Sequence, residues 1–224
     1  PPPPPRLDSG AYARDVNEVR KIGGAESASR TKDQEEIARF WSDFFYTTSP
    51  AGRWNEITCK ELEGRGRTVR DKARLFAILN VTLADAGIAA WDCKYHYRFW
   101  RPVSAIHESL DDRNDATHPD KSWDSLLPSP SHPDYVSGHS VFSAAAAAVL
   151  TRTLGVPKKR IVVTSREMPG VTRSFASYEE IAREAGRSRV YGGIHFSAAN
   201  EQGALLGKKV AERVMGDFSG RSIE

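Results

Sequence analysis

Apolar residues recur every three or four positions along most of this chain, which is the pattern of amphipathic helices. In "SRTKDQEEIARFWSDFF", a capping box of Thr31 and Gln34 opens such a helix. The apolar positions that follow are Ile37, Phe40, Trp41, Phe44 and Phe45. The same spacing predicts helices over about residues 10–21, 54–63 and 69–95. The last of these is apolar nearly all round, so we expect it to be the central, buried helix of a bundle.

The second half of the chain continues the helical pattern. "PDYVSGHSVFSAAAAAVL" opens a helix that runs to about residue 153, where "LGVPKK" supplies stop signals. Ser177 and Glu180 form a second capping box, and "HFSAANEQGALLGKKVAERVM" predicts a final helix. "IVVT" at 161–164 is the only β-like run and is too short and isolated for a sheet of its own. The sequence therefore predicts an all-α helical bundle with long loops at 109–136 and 155–176.

The chain divides into a proline-rich N-terminal arm, residues 1–7, and a single helical domain over residues 8–218. It begins without Met, which suggests a mature form or the site-bearing part of a longer protein. Its 224 residues, 39% hydrophobic and 27% charged, have an ordinary globular composition. The 32 basic and 29 acidic residues are interspersed, so we expect neither a nucleic-acid partner nor a membrane partner.

Three short motifs carry candidate chemistry, and the first is "KYHYRFWRP". Lys94 and Arg101 are seven residues apart, so on one helix they would project from the same face, about 10 Å from each other. Such a pair could flank a small anion, with Arg as a planar fork and Lys as a point charge. Taken alone, a pair of this kind is more often part of a solvated helix face.

The second motif is Ser137-Gly138-His139, at the start of the alanine-rich helix. Ser137 can cap the helix or bond an anion oxygen, and Gly138 lets the backbone approach an oxyanion closely. His139, with a pKa ordinarily near neutrality, is suited to give or take a proton there. The simpler alternative is a capping serine beside a half-buried histidine.

The third motif is "SRVYGGIHFSAAN", in which Arg189 precedes His195 by six residues. The glycine pair 192–193 disfavours a continuous helix, so we expect a sharp turn that presents His195 at the start of the last helix. A histidine placed there can act as a nucleophile towards phosphorus or bind the metal of an oxyanion. Singly, His195 is more often structural.

Together, and in this order, the three motifs resemble the signature of the vanadium-dependent haloperoxidase and type 2 phosphatidic acid phosphatase superfamily. The surrounding sequence, including "RLFAILNVTLADAGIAAWDCKYHYRFWRPVSAI", is similar to the bacterial haloperoxidase branch from about residue 8 to 215. The resemblance implies a helical bundle that binds vanadate, with phosphate able to occupy the same site. It also implies a set of residues that hold the equatorial vanadate oxygens: Lys94, Arg101, Ser137, Gly138 through its amide, and Arg189.

The same resemblance assigns the chemistry. His195 would be the apical ligand to vanadium and His139 the acid/base, with Lys94 a further member of the catalytic set. The enzyme would oxidise halide with hydrogen peroxide to a hypohalous species that halogenates a small organic acceptor. The superfamily leaves two alternatives: an acid phosphatase that forms a phosphohistidine at His195, and a helical module that binds an oxyanion without turnover.

Two positions depart from the phosphatase form of the signature. Val136 stands where a proline usually precedes Ser-Gly-His, and Ala199 stands where a carboxylate usually orients the last histidine. Ala199 therefore disfavours the phosphatase. A backbone carbonyl, Glu201 or Asn200 remain as substitutes for the missing carboxylate.

Three further residues are candidates for halide selectivity or for support of the site. His132 occupies a position similar to one where histidine accompanies bromide oxidation and an aromatic residue accompanies chloride oxidation, so bromide or iodide is favoured. Its alternative is a loop histidine between prolines. Asp43 is a candidate partner for an active-site arginine or else a solvated acid, and Trp100 would wall the pocket or else belong to the core.

The remaining expectations concern the whole protein. Haloperoxidases of this family are commonly longer than 224 residues, with another helical bundle before the part that this chain resembles. If nothing else covers that surface, we expect a homo-oligomer to do so. No signal peptide is evident in the chain, and the resemblance slightly favours a secreted or periplasmic protein without fixing the compartment.

Overall fold

A computed structural model describes residues 1–43 and 47–219 of the chain. Within those residues the fold is helical apart from one short hairpin, which confirms the all-α prediction. The helices are Gly10–Gly23 (α1), Lys32–Phe40 (α2), Ser49–Leu62 (α3), Val69–Tyr97 (α4), Pro102–His107 (α5), Gly138–Leu154 (α6), Tyr178–Tyr191 (α7) and Ser197–Ser219 (α8). A 3-10 turn, Ser109–Asp112, follows α5.

The predicted helix starts are confirmed at their caps. Thr31 and Gln34 form the reciprocal capping box of α2. Ser177 caps α7 by accepting from the amide of Glu180, but the Glu180 side chain accepts from the amide of Ala176 rather than from Ser177. The predicted apolar positions at 44 and 45, Phe44 and Phe45, lie outside the described residues.

The central helix of the bundle is α6, and the prediction that α4 would fill this place is wrong. Most of the α6 alanines are fully buried, and α4, α7 and α8 all pack against it. The small side chains of α6 give it a narrow cross-section, which lets three helices surround it. In contrast, α4 keeps Ile88 70% and Tyr95 56% exposed.

The stretch Val69–His107, which contains α4, is long and apolar enough to span a membrane by length and composition alone. Only 39% of its most apolar window is buried in the structure. A core helix of a helical bundle passes the same test, so this finding is weak evidence for a membrane span.

The predicted isolation of the β-like run is also wrong. Ile161–Thr164 (β1) pairs antiparallel with Thr172–Phe175 (β2), and Ile161 lies opposite Phe175. The sequence "TRSF" of β2 lacks an apolar alternation, so it gives no strand signal of its own. Apolar residues of β1 and β2 reach the main core, and this burial stabilises a hairpin that two short strands alone would not.

Candidate active site

Lys94 and Arg101 are brought together, but not by sharing one helix as the spacing predicted. Helix α4 ends at Tyr97, and Arg98 follows in the left-handed conformation with φ 49°. The chain then turns, and Arg101 occupies the N-cap position of α5 with Pro102 as the first helical residue. Both cations are buried: Lys94 is 0% and Arg101 6% exposed.

The backbone of the segment before α6 orients these two cations. The Lys94 ammonium donates to the carbonyls of Pro133 (2.7 Å) and Asp134 (2.9 Å). The Arg101 guanidinium donates to the carbonyls of His132 (2.7 Å) and Ile194 (2.6 Å). Burial is the largest cause that lowers the pKa of each group, and their mutual repulsion lowers that of Lys94 further.

Ser137, Gly138 and His139 form the first turn of α6, as predicted. The first bond within this helix runs from the amide of Val141 to the Ser137 carbonyl, so the amides before Val141 have no partner inside α6. Ser137 is at the N-cap position but makes no capping bond. Its hydroxyl is buried and has no hydrogen-bond partner among the described residues.

Arg189 comes from the last turn of α7 and is 1% exposed. Its guanidinium donates to the carbonyls of Trp41 (2.6 Å), Ala38 (3.2 Å) and Ser42 (3.4 Å), which fixes its plane at the end of α2. Burial lowers the pKa of Arg189 to about 10, so it remains charged at neutral pH.

His195 follows the sharp turn that the glycine pair predicted. Gly193 has a φ of 75°, and a Cβ on it would collide with the carbonyl oxygen of Gly23. His195 is 3% exposed and lies two residues before the start of α8. Its Nε2 lies 3.2 Å from Nη1 of Arg101, and its Nδ1 lies 2.7 Å from Oδ1 of Asp134.

His139 is backed by a second buried carboxylate. Its Nε2 lies 3.5 Å from Oδ2 of Asp43, whose Oδ1 is 2.5 Å from the Arg53 guanidinium. Burial and the charge of Arg189 lower the pKa of His139 to about 4, although Asp43 acts in the opposite direction. The imidazole is therefore neutral at neutral pH.

Two comparisons with known proteins bear on this arrangement. Residues 74–220 match the family described as the VCPO second helical-bundle domain. The chain is also 38% identical over 180 residues to vanadium chloroperoxidase from Curvularia inaequalis, an alignment that covers 66% of this chain and 29% of that protein. The chain belongs to the vanadium haloperoxidase family.

Solved structures of vanadium haloperoxidases share the fold. A bacterial vanadium-dependent iodoperoxidase is 34% identical with a TM-score of 0.79, over 96% of this chain and 52% of that one. A bacterial vanadium-dependent chloroperoxidase in its holo form is 21% identical with a TM-score of 0.73, over 97% and 51%. The chain thus spans about half the length of these haloperoxidases.

The residues present fit vanadate, the oxyanion of vanadium haloperoxidases. Four buried cations, Lys94, Arg101, Arg189 and Arg53, face only two buried carboxylates, Asp43 and Asp134. Lys94 has three N–H groups and two carbonyl partners, and each of Arg101 and Arg189 has five N–H groups and four partners. Each of these three cations therefore keeps one N–H free among the described residues. The hydroxyl of Ser137 is likewise without a partner there. An anion would supply the missing acceptors and offset the excess charge.

A cavity of about 430 Å³ lies beside these groups, and Arg189, Gly138, His139 and His195 line it. His132 lies in its wall, with its Nδ1 3.1 Å from Nη2 of Arg101 and its ring centroid 5.1 Å from that of Trp91. The alternative that His132 is only a loop histidine is thus not supported by its position. Trp100 does not line the cavity within the described residues: it stacks on Tyr12 at 6.3 Å, so it belongs to the core.

Sequence reasoning missed two residues of this site. Asp134 is the only carboxylate in the segment 126–136, directly before Ser-Gly-His, and this is the signal that could have identified it. The proposed substitutes do not reach His195: Asn200 accepts from Ser140 instead, and Glu201 is exposed.

Arg53 carries no sequence signal, because an arginine within an amphipathic helix is most often solvated. The arginine partner predicted for Asp43 is Arg53 of α3, outside the predicted set.

Proposed function

We propose that this chain carries the vanadate site of a vanadium haloperoxidase, which oxidises halide with hydrogen peroxide to a hypohalous species. Bound vanadate supplies Lewis-acid activation of the peroxide. The observation that carries the proposal is one cavity lined by Arg189, His195, His139 and the α6 N-terminus at Gly138. Buried Arg101 contacts its wall at His195 and His132, and buried Lys94 and the unbonded Ser137 hydroxyl belong to the adjoining segments. These groups come from three separate parts of the chain.

Each residue has a distinct part in this proposal. Lys94, Arg101 and Arg189 neutralise the oxyanion, and the Ser137 hydroxyl and Gly138 amide complete its donors. His195 is the metal ligand through Nε2. His139 is neutral at neutral pH, and its Nε2 is next to Asp43, so it accepts and returns a proton at its other ring nitrogen, Nδ1.

An acid phosphatase that acts through a phosphohistidine is the second candidate, and one observation favours it more than the sequence did. Ala199 argued against a phosphatase because His195 would lack a carboxylate partner. Asp134 lies 2.7 Å from Nδ1 of His195 and supplies one. A third candidate is an oxyanion-binding module without turnover. It requires the same anion-binding cage, formed by Lys94, Arg101, Arg189, Ser137 and Gly138, and differs only in activity.

A paired assay on metal-stripped protein tests the three candidates. Bromination of a phenolic dye with hydrogen peroxide, which depends on added vanadate, is expected for the haloperoxidase. Hydrolysis of p-nitrophenyl phosphate that vanadate inhibits would instead identify the phosphatase. Vanadate binding with neither activity would identify the binding module.

Two variants connect this assay to the site. His195→Ala is expected to abolish vanadate retention, because the metal loses its protein ligand. His107→Ala is the matched control, since His107 bonds the carbonyl of Trp123 and does not line the cavity within the described residues. Retention of vanadate by His195→Ala would contradict the assigned role.

We further propose bromide or iodide as the preferred halide, from His132 in the cavity wall, and a small organic acceptor. The named relatives include a chloroperoxidase and an iodoperoxidase, so halide preference varies within the family. A homo-oligomer without nucleic-acid or membrane partners remains part of the proposal.

A further inference from the structure

The carboxylate of Asp134 is placed where it can control the ring of His195. Asp134 is 0% exposed, and its Oδ1 lies 2.7 Å from Nδ1 of His195. A nitrogen and an oxygen that close would repel without a proton between them. We propose, building on the function above, that Asp134 is the positioning carboxylate of His195, supplied by the segment before α6 in place of one on α8.

The other ring nitrogen fixes where this proton is. Nε2 of His195 lies 3.2 Å from Nη1 of Arg101. A guanidinium has donors only, so the contact with Arg101 favours Nε2 as an acceptor without a proton. The carboxylate 2.7 Å from Nδ1 favours the same tautomer, with the proton of the neutral ring on Nδ1. This is the tautomer that a metal ligand at Nε2 requires. Loss of Asp134 removes one of the two contributions that favour it.

The segment that carries Asp134 is fixed at both ends. The Asp134 amide donates to the Phe99 carbonyl at 2.9 Å, and the Ser137 amide donates to the Ala199 carbonyl at 3.0 Å. Lys94 bonds the Asp134 carbonyl, so a cage cation also anchors this backbone. The carboxylate therefore has little freedom to leave His195.

Ala199 shows why the carboxylate comes from this side. It is 1% exposed and lies in one apolar cluster with Tyr135 and Val136, the two residues that follow Asp134. Its small side chain lets the segment 133–137 pack directly on the start of α8. A carboxylate at position 199 would contact the same imidazole nitrogen as one at position 134. This chain has its carboxylate at position 134.

One consequence is that a single segment serves two parts of the cage. Asp134 acts on His195, while Ser137 and His139 follow three and five residues later. A disturbance of Asp134 should therefore be visible in the tautomer of His195 even without any anion. That readout does not depend on vanadate chemistry.

The experiment compares Asp134→Asn, Asp134→Ala and the double variant Asp134→Ala with Ala199→Asp. Long-range 1H–15N correlation spectra report the protonated ring nitrogen of His195, whose signals are assigned by their loss in His195→Gln. Calorimetry with orthovanadate, and with inorganic phosphate, reports the dissociation constant. Asp112→Asn is the matched control, because Asp112 is 2% exposed and bonds Thr117 and Asn114.

We expect the parent and Asp112→Asn to show one tautomer, protonated at Nδ1. Both single variants at 134 should populate the other tautomer and weaken orthovanadate binding by about 10- to 100-fold. The double variant should recover most of the affinity and the original tautomer. An unchanged tautomer in both single variants would overturn the proposal, whatever happens to affinity. If the parent binds neither anion but the tautomer shifts as expected, the proposed function fails while the role of Asp134 stands.

Discussion

Among single residues, Arg53 of α3 affects the site indirectly, through its ion pair with Asp43. Its guanidinium is 2.5 Å from Asp43, donates to the carbonyl of Phe40, and lies 4.8 Å from the centre of the Trp41 ring. Asp43 in turn faces His139. His139, the proposed acid/base, therefore lies against an ion pair that is almost wholly out of solvent.

Replacement of Arg53 by Met should destabilise the protein strongly, because Asp43 would remain buried without its cation. We expect a loss of about 3–5 kcal/mol in the free energy of unfolding. Arg166→Met is the control: its pair with Glu56 has side chains 61% and 42% exposed, so it should change stability by less than about 0.5 kcal/mol. Urea titration measures both, and equal losses in the two variants would contradict this account.

His132 is the residue that we propose to influence halide preference. Its Nδ1 accepts from Nη2 of Arg101, so His132→Phe would release one more N–H towards the cage. A charged N–H group stabilises the smaller chloride ion more than bromide, so we expect the chloride-to-bromide ratio of kcat/KM to rise, by up to about tenfold because the difference can be only part of the about 1.5–3 kcal/mol of such a bond. Exposed His96→Phe is the control. A ratio that does not change in His132→Phe would remove His132 from halide selection.

At the level of elements, the contact between α6 and α8 determines where the site residues lie. Gly203 of α8 faces the Ser137 carbonyl, and a Cβ on Gly207 would collide with the Val141 carbonyl oxygen. The two helices approach closely because glycines of α8 meet the small residues of α6. His195, just before α8, and Ser137, just before α6, are thereby held together.

Gly207→Ala should therefore push α8 away from α6 and lower the free energy of unfolding by about 1–3 kcal/mol. Gly216 lies in the same helix, and a Cβ added there would have nothing within 4 Å. Gly216→Ala should therefore stabilise the protein by up to about 1 kcal/mol, because alanine has the higher helix propensity. Thermal unfolding distinguishes these opposite signs. Phosphate affinity should fall only in Gly207→Ala, and equal effects of the two alanines would refute the close contact.

The helices were predictable from the sequence because their signals are local: caps, glycine stops and apolar spacing. The helix predicted over 69–95 ends close by, at Tyr97, but the turn after it was not predictable, since Arg98 adopts a left-handed conformation that no nearby glycine announces. Strand β2 has no apolar alternation, and its Phe175 packs against Trp41, which is distant in the chain. Asp134 was missed for the same reason, because its partner His195 is distant in sequence and close only in the folded bundle.

For the whole molecule, one face of α4 forms a prominent exposed apolar surface. Ile88, Trp91 and Tyr95 lie three and four residues apart, on one face of the helix, and are 70%, 38% and 56% exposed. Trp91 also lines the cavity. The described part of the chain therefore leaves this face largely uncovered.

We expect a second copy of the chain to cover this face, since an apolar strip of this kind beside the cavity favours association. Sedimentation velocity at micromolar concentration should show a dimer, and Ile88→Glu should shift it to monomer because a charge would enter the apolar contact. Val156→Glu is the control, as Val156 is 77% exposed in the loop after α6. A parent chain that sediments as a monomer would refute the homo-oligomer, and a dimer that survives Ile88→Glu would place the interface on another face.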